Sequence, residues 1–227
     1  MQSLTTVQNK IAEAAKRSGR DPSEITLVAV TKTHGADVIN EAVAAGVTDI
    51  GENKVQEILA KYDDVTSGVR WHLIGHLQTN KVKSIVDKVC MIHSVDSLHL
   101  AEEINKRCKA IGKTMDILIQ VNAAGEEQKS GVAPKDVLPL YNEVSKLENL
   151  RVRGLMQIAP ETDNPESIRK YFKEVKEIFD SIPGLDVLSM GMSGDYEIAI
   201  EEGATMVRIG SAIFGERNYK NGIIGQD

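Results

Sequence analysis

Ile25-Thr26-Leu27-Val28-Ala29-Val30-Thr31-Lys32 is a run of apolar and β-branched residues that ends in one lysine and is followed by Thr33-His34-Gly35. A continuous apolar run of this length, bounded by turn residues, predicts a strand buried on both faces, as in parallel sheets. Side chains alternate along a strand, so Lys32 shares a face with Val30 and Val28. An ammonium there, at the C-terminal end of the strand, is partly desolvated. That lowers its pKa and frees the amine as a nucleophile. The same position also suits a lysine whose stem covers apolar surface while its charge reaches solvent. The rest of the chain has to separate the two.

Working outward, the same kind of segment recurs at Val47–Asn53, Val69–Gly75, Val89–Val95, Met115–Asn122, Val152–Ile158, Val187–Ser193 and Thr205–Gly210. Between these segments apolar residues return at helical spacing, for example Leu98, Ala101, Ile104 and Cys108, or Val82, Ile85 and Val86. Asn164 caps a helix that has Pro165 at its first position and Ile168, Phe172, Val175, Phe179 and Ile182 along its inner face. Asp195 caps a short helix before the eighth strand. Leu4, Val7, Ile11 and Ala14 mark a helix ahead of the first strand. Eight strand signals alternating with helical patterns predict an α/β fold, a (β/α)8 TIM barrel with an additional N-terminal helix. An open doubly wound sheet competes, but eight regular repeats in 227 residues favour closure. With no linker or low-complexity run, 1–227 reads as a single domain.

A 41% hydrophobic and 26% charged composition supplies an ordinary globular core. The net charge of −6 argues against a nucleic-acid or anionic-membrane surface, since neither attracts an acidic protein. Cys90 and Cys108 form no CxxC pair and read as reduced core residues. The N-terminus lacks a secretory pattern and no apolar run can span a bilayer, so a soluble, cytoplasmic protein is expected.

In such barrels chemistry sits at the C-terminal ends of the strands, and a phosphate site is often built after strands seven and eight. Those ends carry Lys32, Asn53, His72, Asn122, Met156, Ser193 and Arg208. Met192-Ser193-Gly194-Asp195 and Arg208-Ile209-Gly210-Ser211 each pair a hydroxyl with a glycine at a helix entry. Exposed N–H groups, hydroxyls and a helix dipole suit a phosphate dianion, although the same residues also serve as plain caps and turns. A nucleophilic lysine facing a phosphate site across the barrel mouth suggests a phosphorylated carbonyl compound held as a Schiff base. Either a sugar phosphate, as in a class I aldolase, or pyridoxal 5′-phosphate (PLP) fits. Arg208 shares an inward face with Gly210. An arginine beside the PLP pyridine nitrogen would keep that nitrogen unprotonated and weaken the ring as an electron sink. A structural ion pair with a barrel carboxylate is the other role open to Arg208.

The segments LVAVTKTH, GENKVQE, WHLIGHLQTNK, VN followed by EEQKSG, RGLMQIA, LSMGMSGDYEIAI and MVRIGSAIFGER run nearly the length of the chain. Taken together they closely resemble the PLP homeostasis protein family, whose barrel is like the N-terminal domain of alanine racemase. The resemblance implies that Lys32 carries PLP covalently, that Ser193, Gly210 and Ser211 hold the phosphate, and that Arg208 lies near the pyridine nitrogen. It also implies cofactor contacts for Asn53, His72 and Met192, and for Lys129 a role in PLP transfer or a second PLP contact. Lys54 and Ser211 stand where the family commonly has an aromatic residue and a threonine.

His72 and His76 span a strand end and Gly75, so no metal pair is expected. Glu126-Glu127 and Glu201-Glu202 read as solvated faces, and Trp71 as core. Racemases of this barrel type use a further domain for a second base and a cap. The chain ends soon after its eighth strand signal, so an open site without catalytic residues of its own is expected. The resemblance implies a carrier or regulator of PLP supply, monomeric, with PLP-dependent apo-enzymes as possible partners. A PLP-dependent racemase or lyase is the runner-up, followed by the class I aldolase.

Overall fold

The computed structural model describes residues 2–126, 128–162 and 164–215. Eight parallel strands close into a barrel in sequence order: β1 Thr26–Val30, β2 Asp49–Glu52, β3 Arg70–Leu73, β4 Met91–Val95, β5 Met115–Val121, β6 Leu150–Gln157, β7 Val187–Ser189 and β8 Met206–Ile209. β1 pairs with β8 in the register Val28↔Arg208 and Ala29↔Ile209, which seals the sheet. The helices between the strands are α2 Ala36–Ala44, α3 Val55–Lys61, α4 Leu98–Ala110, α5 Val137–Val144, α6 Arg169–Ser181 and α7 Tyr196–Glu201. A short α8, Ser211–Phe214, follows β8, and α1, Gln2–Arg17, precedes β1.

The alternation of the strands sorts their side chains into two cores. Outward residues such as Ala29, Ile50, Leu73, Ile92, Ile117, Leu155, Leu188 and Val207 pack with the helices. Inward, Val28, Met91, Leu118, Met156, Val187 and Met206 fill the barrel itself. A Cβ on Gly51 of β2 would stand 2.9 Å from the Val28 Cγ1, so that strand yields its interior space to β1. α1 buries Leu4, Val7, Ile11 and Ala14 and packs on α7 and α8, the two helices that follow the expected phosphate loops. Phe172, Val175, Ile168 and Ile182 are buried on the α6 side as the periodicity predicts, with Phe179 half-buried.

Four local expectations change. The helix after β3 is a six-residue 3-10 turn, Thr79–Ser84, because Val82 and Ile85 lie three apart and one tight turn buries both. β7 stops at Ser189, since the chain leaves the sheet at Gly191 with φ +91°. Asp195 does not cap α7; its carboxylate turns back to accept the Met192 N–H at 2.5 Å. Glu201 and Glu202 are not simply solvated, for Arg169 binds both, at 2.9 and 2.6 Å, and Arg17 also binds Glu201. Glu127 and the polar tail lie outside the described residues. Trp71 is core, Cys108 is buried and Cys90 half-buried, both as free thiols. Among the described residues no helix is long and apolar enough to cross a membrane.

Candidate functional site

A cavity of 520 Å³ opens at the C-terminal end of the barrel, a size typical of small-molecule sites. Lys32, Asn53, Lys129, Met192, Ser193, Arg208, Gly210 and Ser211 all line it. Val30 lines it too and Val28 lies directly below, but β1 ends at Val30, so Lys32 stands in the turn beyond the strand and that turn, not strand alternation, brings it to the cavity. Because β1 is hydrogen-bonded to β8, Gly210 stands beside Val30, and Lys32, two residues further on, is on the same side of the rim rather than across the mouth.

The turn that carries Lys32 rests on buried charge. Thr33 adopts φ +69°, a left-handed conformation costly for a β-branched residue. Its N–H donates to Glu57 Oε2 at 2.7 Å. Lys61 donates to Glu57 and to Glu52, each at 2.9 Å, and to the Thr31 carbonyl at 3.2 Å. The Thr31 hydroxyl donates to the same Glu52 oxygen at 2.7 Å. Glu52 is fully enclosed, and burial pushes its carboxyl up to about 7 against the pull of Lys61. Glu57, although burial alone would raise it, is held below its ordinary value by the Thr33 N–H and by Lys61.

Next to Lys32 are the two loops that follow β7 and β8. A Cβ on Gly191 would stand 2.7 Å from the Ala199 Cβ and 2.8 Å from the Tyr196 Cα, which with its positive φ requires glycine there. The Ser193 hydroxyl accepts from the Gly210 and Ala212 N–H groups at 3.3 Å each, tying one loop to the other. Gly210 itself lies against Val30, where a Cβ would come within 3.2 Å of the Val30 carbonyl oxygen. The result is a concave patch of backbone donors and serine hydroxyls at the entry to α8.

Arg208 closes the cavity floor. Its Nη1 donates to the Ser189 carbonyl at 2.8 Å and the Ser189 hydroxyl at 2.7 Å, and its Nη2 to the Gln157 carbonyl at 2.8 Å. These partners are neutral, so the structure does not give Arg208 the barrel ion pair that was its other reading. Burial draws its pKa down to about 10, with the Asp195 charge acting the other way, and it remains a cation at neutral pH.

Three strand-end residues fall elsewhere. His72 does not reach the cavity: it is buried one alternation step below Ile74, which lines the cavity in its place. Its ring contacts Asp49 Oδ1 at 2.8 Å and His93 Nε2 at 2.9 Å. Met156 likewise lies in the barrel interior under Ile158. Asn122 braces the loop that carries Lys129, donating to the Glu126 and Lys129 carbonyls. Lys129 is ion-paired with Glu126 and donates to the Ala159 carbonyl at 3.1 Å. Sequence reading missed His34, Ile74, His76, Gln120, Ser130, Ile158 and Glu161 in the lining. For Ile74, Gln120 and Ile158 a signal was present, as each is two residues from an interior or mouth position on its own strand. Among the described residues no cluster of His, Cys, Asp and Glu suited to a metal occurs.

Residues 3–218 match the family described as alanine racemase, N-terminal domain. A pyridoxal phosphate homeostasis protein of Aquifex aeolicus is 45% identical over 222 residues, 95% of this chain and 97% of that one. Its Escherichia coli K12 counterpart is 41% identical over 227 residues, 95% and 96% of the two chains. Among solved structures, PipY of Synechococcus elongatus, with PLP bound, is 36% identical with a TM-score of 0.80, covering 90% of this chain and 100% of that chain. Clostridium difficile alanine racemase, 14% identical with a TM-score of 0.73, covers 97% of this chain and 58% of its own, a likeness of fold.

Proposed function

The chain belongs to the alanine racemase N-terminal-domain family and, within it, to the pyridoxal phosphate homeostasis proteins, and from that premise we propose that it binds PLP through Lys32 and serves the storage or supply of that cofactor in the cytoplasm. Ser193, Gly210 and Ser211 take the phosphate, Asn53 and Met192 border the ring, and Arg208 faces the pyridine nitrogen. Lys129 provides a second contact at the opposite rim. His72 acts on the site through other residues and not by touch. The chain works as one domain and as a monomer, with PLP-dependent apo-enzymes as recipients and with no nucleic-acid or membrane partner.

One observation carries this reading: a lysine amine, a serine-and-backbone phosphate cradle and a buried guanidinium line the same cavity. That donor set fits each functional group of PLP, an aldehyde, a phosphate and a heteroaromatic nitrogen. When bound, PLP supplies an electrophilic carbon for amines and a ring that withdraws electrons. Arg208, a cation that can only donate, leaves the ring nitrogen unprotonated and so weakens that withdrawal. The rim residues His76, Glu161, Gly194 and Ser211 are exposed, which leaves the bound carbon within reach of water and of incoming amines. Retention and release then prevail over commitment of a substrate, which favours a carrier over a racemase, lyase or aldolase.

Absorption spectra of the wild type and Lys32→Ala, followed by borohydride reduction and peptide mass mapping, test this. The wild type is expected to be yellow, with the reduced adduct on Lys32 and no such band in the variant. An adduct on another lysine, or no PLP bound at all, refutes the assignment. Rapid loss of an α-deuterium from an amino acid would restore the racemase.

A further inference from the structure

Beneath Arg208 a line of polar side chains runs down the barrel interior, which in the layer beside it is filled by Val28, Met91, Leu118, Met156, Val187 and Met206. From the cavity floor downward, Arg208 Nη1 lies 2.7 Å from Ser189 Oγ, Ser189 Oγ 3.1 Å from His93 Nδ1, His93 Nε2 2.9 Å from His72 Nδ1, and His72 Nε2 2.8 Å from Asp49 Oδ1. Asp49 is gripped from below by Arg70, at 2.8 and 2.6 Å, and by the Thr48 hydroxyl at 2.7 Å. Ser189, His93, His72, Asp49 and Arg208 are all buried, while Arg70 is largely exposed at the far end of the barrel. Four strands, β2, β3, β4 and β7, thus contribute to a single connection that ends on β8.

The two ends of this line dictate its direction. A guanidinium only donates, and an ionised carboxylate only accepts. Burial alone would raise the Asp49 carboxyl, but hydrogen bonds from His72, Arg70 and Thr48 hold it well below the usual range, so it is ionised. Between these ends each neutral group must accept from the Arg208 side and donate toward Asp49. Ser189 then donates to His93 Nδ1, His93 carries its hydrogen on Nε2, and so does His72. Reversing the histidines would turn an unshared pair of His72 toward the carboxylate. Charging either ring would send a second donor to Ser189 and leave its buried hydroxyl hydrogen without an acceptor. Burial and the neighbouring His72 and Arg208 push His93 well below its ordinary pKa, in the same sense. The Cys90 thiol, 3.5 Å from His72 Nε2, is kept neutral by its own burial.

We propose that Ser189, His93, His72 and Asp49 are positioning residues for Arg208: a one-way hydrogen-bond chain that fixes the guanidinium at the cavity floor by anchoring it to an ion pair at the other end of the barrel. The chain is a strut and does not conduct protons, since an arginine at one end cannot release one. Its consequence for PLP rests on the function proposed above.

Two measurements decide it. In the full-length protein without PLP, nitrogen-15 NMR of labelled histidine at about pH 8 is expected to show hydrogen on Nε2 of both His72 and His93 and none on Nδ1 of either ring. A hydrogen on Nδ1 of either ring, or a charged ring, overturns the proposal. The second measurement is PLP affinity. His93→Leu breaks the chain and is expected to weaken PLP on the order of tenfold, whereas His93→Gln, which offers one donor and one acceptor, recovers most of that loss. Ser189→Ala, a smaller change, serves if the leucine variant does not fold and is expected to weaken PLP in the same direction. Broken-chain variants that hold PLP as tightly as the wild type overturn the proposal. If the wild type itself binds no PLP, the proposed function fails, while the proton positions still decide the chain.

Discussion

Glu52→Gln isolates the charge buried under the Lys32 turn. The folded carboxyl titrates near 7 against an ordinary value of 4.5. Between those two values the unfolded chain has lost its proton while the folded one keeps it. Stability from this group is therefore fully present below the unfolded value and is lost as pH rises through the folded one. Integrated between about pH 5 and pH 8, the loss is roughly 2–3 kcal/mol. Glutamine mimics the protonated carboxyl and does not titrate. The second carboxyl oxygen, Glu52 Oε2, is buried with no hydrogen-bond partner, so an amide there displaces no existing bond. Urea unfolding of both proteins across this range should show the variant gaining on the wild type as pH rises, by about that amount. Titrating groups outside the cluster cancel in the difference. Parallel curves would mean that Glu52 is already ionised in the folded protein at pH 5. A wild type that gains on the variant as pH rises would mean that Lys61 outweighs the burial of Glu52. Either result refutes the account of the cluster.

Further expectations follow from single contacts. Ser193→Ala removes the acceptor shared by the Gly210 and Ala212 N–H groups; PLP affinity by spectroscopic titration should fall about tenfold with little change in unfolding, and an unchanged affinity would remove Ser193 from the phosphate cradle. Gly75→Ala places a Cβ 2.2 Å from the Asn53 carbonyl oxygen; unfolding free energy should drop by roughly 1–3 kcal/mol or more, and a change under about 0.5 kcal/mol would show that the rim yields freely. Arg169→Met releases Glu166, Glu201 and Glu202; the cost should be about 1 kcal/mol at low salt and shrink in 1 M salt, and a loss unaffected by salt would contradict an electrostatic origin.

The strands and the inward turn of Arg208 were legible because alternation is a local property, whereas Lys32 and Gly210 lie just past the ends of β1 and β8 and reach the cavity through the turns that follow. Reading which residue of each strand meets the cavity was harder. The sequence pattern puts His72, Met156 and Asn122 at the mouth, yet the mouth belongs to Ile74, Ile158 and Gln120. The difference is a shift of one alternation step, which depends on the tilt and stagger of strands in the closed sheet and not on any one strand. The Glu52–Lys61–Glu57 cluster was invisible for another reason. Its members sit in what reads as an ordinary amphipathic helix and strand end, and only the packing of α3 beneath the Lys32 turn gives them a shared, largely buried space. The His72–His93 contact joins residues 21 positions apart on neighbouring strands, a pairing that only the register of β3 and β4 creates. The 3-10 turn at Thr79–Ser84 was misread because apolar spacing alone does not distinguish one tight turn from a longer helix.

The seam between β1 and β8 has a bearing on how the molecule comes into being. Thr26 pairs with Met206, and the Ser3 hydroxyl donates to the Ile213 carbonyl, a contact between residues 210 positions apart. Contacts of such separation carry the largest loop-closure cost and are the slowest to be reached. Lys32 emerges from the ribosome well before the loops that follow β7 and β8, so the cavity they share is not complete until both sides of the seam have been made. A ligand bound across that seam holds the first and last strands together, and its departure returns the burden of closure to the polypeptide alone.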